Sequence, residues 1–185
     1  MDTKYEVLQI LSENEGSFVS GEYMSKKIGV SRMAVSKAVS SLLDQGHMIE
    51  AVKHKGYMLD GKGDVFTDET LQLALEGSGI KGFYIPETVS TNMDAKRLAG
   101  EGVKPPFLVC TAKQTGGRGR LGRRFASPRG GVYFSLVLDG DKISSPSLVT
   151  ISAAWAISDV MERLTGIETS IKWVNDVYIR NKKAV

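Results

Sequence analysis

A chain of 185 residues with 42% apolar and 24% charged side chains has the make-up of a globular protein, one ordinary domain or two small ones, and disorder is excluded as the default. A single cysteine, Cys110, excludes an internal disulfide. No run approaches the ~20 apolar residues of a membrane helix, and the start "MDTKYEVLQI" lacks the basic-then-apolar pattern of a secretion signal, so the reading is a cytoplasmic protein in a reducing compartment with no membrane partner.

The net charge of +3 is small but unevenly spread. Residues 1–62 balance eight Lys/Arg against eight Asp/Glu. Between Glu101 and Asp139 there is no acid, yet that span holds Lys104, Lys113, Arg118, Arg120, Arg123, Arg124 and Arg129. A block of one sign marks an anionic partner or a solvated loop.

In chain order, "KYEVLQILSENEG" places Val7, Leu8 and Leu11 on one helical face and stops at Gly16. "SGEYMSKKIGVSRMAVSKAVSSLLDQG" then predicts two helices, capped by Ser20 and Ser31 and ended by Gly29 and Gly46. Only Val30 separates Gly29 from Ser31, the short connection of a helix-turn-helix. In the second of these helices Val35, Ala38, Val39 and Leu42 form the inner face, which leaves Arg32, Ser36, Lys37 and Ser40 outside. Such donors reach phosphates and base edges in a major groove. "HMIEAVKHKGYMLDG" predicts a hairpin with Lys53, His54 and Lys55 at its tip, a wing suited to a DNA contact. Ser31, Arg32, Ser36, Lys37, Ser40, Lys53 and Lys55 are therefore the DNA-binding candidates, although a neutral module of this kind can also serve protein interaction. His47 and His54 read as a turn and a wing-tip residue, since no partners stand at metal-ligand spacing.

"DGKGDVFTDE" breaks the pattern and sets a domain boundary near residue 62, giving 1–62 and 63–185. Beyond it come a short helix in "DETLQLALEG", a strand in "GFYIPE" and a helix capped by Ser90 or Thr91, closed by Gly100 or Gly102. Two β-rich runs, "FLVCTAKQ" and "VYFSLVLDG", bracket the basic loop, and Cys110 in the first is read as a buried structural thiol. "SLVTISAAWAISDVMERLTG" predicts an amphipathic-to-buried helix, and "TSIKWVNDVYIRNKKAV" two strands joined by "RNKK". The fold class is α+β: a winged helix-turn-helix followed by a core with a mixed or antiparallel sheet and helices to one side.

The segment "GGRGRLGRRF", Gly116 to Phe125, packs four glycines and four arginines into ten residues. A short arginine–glycine segment can bind RNA, but this one is single and flanked by strand-like runs. It is not a P-loop, because no "GK[ST]" follows. Together with "SGEYMSKKIGVSRMAVSK", "EAVKHKGYML", "STN" at 90–92, "QTGGRGRLGRRFASPRGGVYFS" at 114–135 and "KWVNDVYI" at 172–179, it resembles the two-domain bacterial biotin–protein ligases that double as repressors of the biotin operon.

That resemblance implies a two-step ligase. Biotin and ATP give biotinyl-5′-AMP and pyrophosphate, and the biotin then passes to a lysine of the biotin carboxyl carrier protein of acetyl-CoA carboxylase. It also implies that the adenylate is a corepressor, favouring a homodimer that binds operator DNA. The implied ligand set is biotin, ATP and Mg²⁺. By motif, Ser90, Thr91, Asn92 and Gln114 line the biotin end, with Arg118, Gly119 and Arg120 over the carboxylate and phosphate. Arg120, Arg123, Phe125, Asn175 and Asp176 take the nucleotide, Asp176 takes magnesium, and Lys183 contacts the reacting carboxylate. Arg118 and Lys183 are the catalytic candidates. Arginine forks and backbone N–H groups stabilise charge developing on phosphoryl oxygens, and four arginines without a ligand repel one another, so the loop is expected to be disordered when empty.

Phe125 stands where the family more often has tryptophan, and Val174 where it has proline. The chain stops at Val185, whereas the family continues with further strands and a small β-domain. This predicts a fragment with a catalytic core incomplete at its C-terminus, and assigns ligase activity to the parent protein. Two other readings stand beside it: a DNA-binding regulator that senses biotin or its adenylate without ligating it, and a ligase whose winged helix is structural. Lipoate–protein ligases share the architecture but lack "GRGRLGRRF" and the winged helix.

Overall fold

The computed structural model describes residues 2–61, 63, 65–119 and 123–184. The chain divides into two compact units, Met1–Leu138 and Asp139–Val185. The residue-62 division read from the sequence falls inside the first.

The first unit begins with three helices: α1 (Thr3–Glu13), α2 (Gly21–Ile28) and α3 (Arg32–Asp44). Asp2, Ser20 and Ser31 cap them, each side chain accepting from a backbone N–H of its helix's first turn. Gly29 ends α2 in the left-handed region at φ 79°, which a side chain rarely adopts, and this lets α3 start three residues later, at Arg32. Val7, Leu8, Leu11, Met24, Val35, Val39 and Leu42 are at most 2% exposed and form one core. Burying each is worth roughly 1.5–3 kcal/mol. Ile10 joins that core, a position the Val7–Leu8–Leu11 face does not anticipate.

The wing follows as β1 (Ile49–Val52) and β2 (Gly56–Leu59), antiparallel, with Lys53, His54 and Lys55 at the tip. Val19 and Tyr57 exchange two backbone hydrogen bonds, 2.8 and 2.9 Å, and tie the wing to the start of α2. Only glycine serves at position 56: φ is 111°, and a Cβ would lie 2.1 Å from the Val19 carbonyl oxygen.

Helix α4 (Asp68–Leu75) is held by a Thr67–Thr70 capping box and contacts α1. Glu69 pairs with Lys4 and accepts from Gln45, and Gln9 donates to Glu76 at 2.9 Å. Burial pushes the Glu69 carboxyl up, but the Lys4 ammonium and the Thr67 hydroxyl outweigh it and the net shift is downward. A three-stranded mixed sheet completes the unit. β3 (Lys81–Tyr84) runs parallel to β4 (Phe107–Thr111), and β4 antiparallel to β5 (Tyr133–Val137). Helix α5 (Thr91–Gly100) covers one face through Ala95 and Leu98, against Phe107 and Val109. Cys110 is buried as expected, and burial raises its thiol pKa to about 11.

The second unit holds α6 (Pro146–Thr165) and an antiparallel sheet of β6 (Thr169–Lys172), β7 (Asp176–Ile179) and β8 (Lys182–Lys183). α6 is amphipathic within this unit: the sheet covers the stripe at Ala154 and Ser158, while Leu148, Trp155 and Leu164 are exposed. One expectation is corrected here. "TSIKWVNDVYIRNKKAV" makes three strands rather than two. Residues 173–175 form the first turn, and Arg180 and Asn181, at φ 47° and 62°, form a two-residue hairpin turn that leaves Lys182 and Lys183 in a strand.

Candidate functional site

Residues 88–89 and 113–116 run side by side. The Thr88 N–H donates to the Lys113 carbonyl at 3.2 Å, Thr115 donates back to Thr88 at 2.9 Å, and Gly116 donates to Val89 at 2.9 Å. Helix α5 starts immediately after this pairing, with first-turn N–H groups to satisfy. Ser90 or Thr91 was expected to cap it, yet Ser90, at the N-cap position, makes no side-chain capping bond. Gln114 does so from across the chain. Its Oε1 accepts from the Thr91 backbone N–H at 2.9 Å and lies 3.3 Å from the Thr91 hydroxyl, while its Nε2 donates to Ser127 Oγ at 2.9 Å. Ser135 Oγ, on β5, lies 2.9 Å from both Thr91 Oγ1 and Asn92 Oδ1. Ser90, Thr91 and Ser127 are buried. The result is a small neutral polar wall, with the Ser90 hydroxyl not spent on capping.

The arginine–glycine segment leaves this wall as a ladder. Phe125 donates to the Gly117 carbonyl at 2.9 Å, Gly119 donates to the Arg123 carbonyl at 2.7 Å, and Arg118 is bridged directly to Arg124. A Cβ at Gly117 would lie 2.6 Å from the Phe125 carbonyl oxygen and 2.8 Å from Ser127 Oγ, so a bare backbone is required there. Residues opposed in an antiparallel bridge point to one side, and like charges facing each other destabilise it. Arg118, Arg123 and Arg124 are exposed, and among the described residues no carboxylate pairs with them. Phe125 is half exposed beside them. Arg120 lies outside the described residues, as does the tip of the loop expected to be disordered.

In the second unit, the hairpin returns Lys183 to the start of β7, where its Nζ lies 2.7 Å from Asp176 Oδ1. Asp176 is in register with Lys172 across β6, and Asn175 occupies the preceding turn. The Trp173–Val174 peptide, where the resemblance expects proline, is cis. The Asp176 carboxylate is thus held by an ammonium, and among the described residues no group of three or more His, Cys, Asp or Glu side chains could hold a metal. Magnesium is commonly held by one or two carboxylates together with substrate phosphates and water, and Asp176 supplies one such carboxylate.

On the winged helix, Arg32, Ser36, Lys37 and Ser40 share the exposed outer face of α3. The Ser31 oxygen accepts from Ala34 as a cap, at 3.1 Å, which leaves its proton available. A cleft of about 320 Å³ opens between the starts of α2 and α3 and the wing, lined by Ser20, Gly21, Arg32, Lys53, His54 and Lys55 among others. Glu22 stands beside it, 2.9 Å from Lys26 and 4.0 Å from Arg32, and those two cations hold its carboxyl below the usual 4.5.

Four residues of these networks were missed from sequence: Thr88, Asp94 (whose carboxylate accepts from the Thr88 hydroxyl), Ser127 and Ser135. Ser127 and Ser135 lie inside the quoted 114–135 motif. Ser135 is a small polar side chain on the inward-facing alternation of β5, a signal that could have found it. Thr88 and Asp94 carry no such signal.

A winged helix-turn-helix joined to an α+β core, with a capped helix start beside an unneutralised arginine ladder, defines a DNA-binding-type module attached to a ligase-type fold. The comparisons agree. Residues 3–58 match the HTH domain, and residues 84–185 match the Biotin/lipoate A/B protein ligase family. The chain belongs to that ligase family. The bifunctional ligase/repressor BirA of Bacillus subtilis (strain 168) is 35% identical over 97% of this chain and 57% of its own length. The protein of the same name from Escherichia coli (strain K12) is 28% identical over 91% and 52%. The chain therefore spans about half the length of the curated relatives it matches. Among solved structures, the biotin protein ligase of Aquifex aeolicus in complex with biotin and ATP aligns with TM-score 0.50 and 34% identity, over 56% of this chain and 43% of that one. The Leishmania major enzyme in complex with biotinyl-5-AMP shares the fold, with TM-score 0.50 at 22% identity. No helix among the described residues is long and apolar enough to cross a membrane.

Proposed function

We propose that the protein carrying this chain is a biotin–protein ligase that also represses transcription, with residues 1–62 as its DNA-binding domain and residues 63–185 as the N-terminal part of its catalytic domain. A biotin carboxylate oxygen attacks the α-phosphorus of ATP, the Pα–O–Pβ bridge breaks, and pyrophosphate leaves. The ε-amine of a carrier lysine then attacks the acyl carbon, AMP departs, and the amine loses a proton.

The observation that carries this reading is the acid-free ladder in which Arg118 faces Arg124 beside the Thr91–Gln114–Ser127 network. Arg118, Gly119, Arg120 and Arg123 supply cations and close backbone approach to the carboxylate, phosphate and pyrophosphate. Ser90, Thr91, Asn92 and Gln114 supply hydroxyl and amide groups suited to a ureido ring. Phe125 stacks on adenine. Asn175 bonds the nucleotide, and Lys183, which Asp176 pairs at 2.7 Å, neutralises the reacting carboxylate. Magnesium enters with the phosphates of ATP. The wing cleft and the α3 face contact operator DNA, through phosphates at Lys53 and Lys55 and through the groove at Arg32, Ser36, Lys37 and Ser40. The adenylate-bound form is a cytoplasmic homodimer, and the biotin acceptor is a carboxylase carrier protein.

The test incubates the whole protein with biotin, ATP, Mg²⁺ and a carrier domain, and looks for biotin on the carrier lysine. An absence of label with DNA binding intact overturns the ligase reading in favour of a biotin-sensing regulator. Lys37→Glu should weaken an operator shift and leave labelling unchanged, and an unchanged shift removes the groove assignment.

A further inference from the structure

We infer that Asp94, outside the residues assigned above, is a positioning residue for the biotin end of the site, an inference that rests on the reading of Ser90, Thr91, Asn92 and Gln114 as that end. Those residues come from two stretches of chain. Thr91 and Asn92 open α5, whereas Gln114 begins the stretch that leads into the arginine ladder. Gln114 is one tie between them. The other is Asp94, on the first turn of the same helix, whose Oδ2 accepts from the Thr88 hydroxyl at 2.5 Å.

Thr88 is the rung on which the second stretch hangs. Its N–H donates to the Lys113 carbonyl, and its carbonyl accepts from the Thr115 N–H at 2.9 Å and the Thr115 hydroxyl at 3.4 Å. The next residue, Val89, takes the Gly116 N–H. Asp94 thus clamps α5 to the strand that fixes Gln114 through Gly116. It is largely buried, with a side chain 19% exposed. Its other charged neighbour is Arg97, 3.7 Å away and itself bonded to Glu101 at 2.9 Å. A carboxylate in the first turn of α5 is further favoured by the helix dipole. The clamp touches no substrate. It sets the distance between Thr91 and the base of the arginine ladder, so loosening it weakens biotin in the ground state and the transition state alike.

The test is a double-mutant cycle in the whole protein. Asp94→Ala and Thr88→Val should each raise KM for biotin about tenfold, the low end of what a hydrogen bond to a charged group carries. The value of kcat and the KM for ATP should stay unchanged, the double variant should be no worse than either single one, and Thr88→Ser should behave as the parent does. Additive effects, a fall in kcat at constant KM, or a Thr88→Ser as impaired as Thr88→Val overturns the inference. Amide exchange at Thr115 and Gly116 gives a readout independent of ligation. Exchange should quicken in Asp94→Ala even if the parent protein binds no biotin, which would sink the ligase reading alone. Unchanged exchange sinks the clamp.

Discussion

Replacing Gln114 separates the structural work of this residue from its ligand chemistry. Gln114→Ala removes the acceptor of the Thr91 backbone N–H and the donor to Ser127 Oγ. Thr91 is 4% exposed, so its N–H has little access to water, and an orphaned buried donor costs about 1–3 kcal/mol. Ser127 keeps a longer bond to the Phe125 carbonyl at 3.4 Å and loses about 1 kcal/mol. Gln114→Ala should therefore destabilise the protein by about 2–4 kcal/mol, a large share of an ordinary stability of about 5–15 kcal/mol. Gln114→Glu is the informative control. A carboxylate can accept from the Thr91 N–H with one oxygen and from the Ser127 hydroxyl with the other, at a helix start that favours negative charge. It should unfold within about 1 kcal/mol of the parent. The same charge repels an anionic ligand, so biotin affinity should fall in Gln114→Glu although the fold holds. Urea unfolding with a constant m value measures the first effect, and calorimetric titration with biotin measures the second. A Gln114→Ala variant within about 0.5 kcal/mol of the parent, or a Gln114→Glu variant as unstable as Gln114→Ala, refutes the capping role.

Gly56→Ala puts a Cβ 2.1 Å from the Val19 carbonyl oxygen at φ 111°; it should cost more than about 2 kcal/mol in urea unfolding and speed amide exchange at Tyr57, whereas a neutral change removes the wing-anchoring argument. Burial holds the His47 imidazole below its ordinary 6.5, with Glu69 opposing, so the unfolded chain takes that proton first. Stability is then present above pH 6.5 and lost as the pH falls through the folded value. His47→Gln should flatten the stability slope between about pH 7 and 5, and an identical slope in the variant contradicts this. With its pKa raised to about 11, the Cys110 thiol is about one part in a thousand thiolate at pH 8, so native protein should react with a thiol reagent far more slowly than urea-unfolded protein. Comparable rates refute its burial.

The winged helix was legible from sequence because its signals are local. Ser20 and Ser31 lie next to the helices they cap, Gly29 ends α2, and the Val35–Leu42 spacing sets the inner face of α3. The order of motifs carried the catalytic half, but its connections are long-range. Gln114 caps a helix 23 residues earlier in the chain, and Ser135 reaches Thr91 across 44 positions, neither of which a periodicity reports. The exposed α6 shows the limit of composition. Its apolar residues surround the helix, and among the described residues of its own unit β6 and β7 cover the side at Ala154 and Ser158. The Lys183–Asp176 pair was half legible: a turn in "RNKK" is read from the sequence, but Lys182 and Lys183 belong to a strand and the turn is Arg180–Asn181, because two non-glycine residues take positive φ there.

Limited trypsin digestion with and without biotinyl-5′-AMP tests the central claim most directly. On the proposed function, cleavage after Arg118, Arg123 and Arg124 should be suppressed by the adenylate and not by AMP alone, because these arginines would then face an acyl phosphate. Equal cleavage at these arginines in all three conditions would contradict the account.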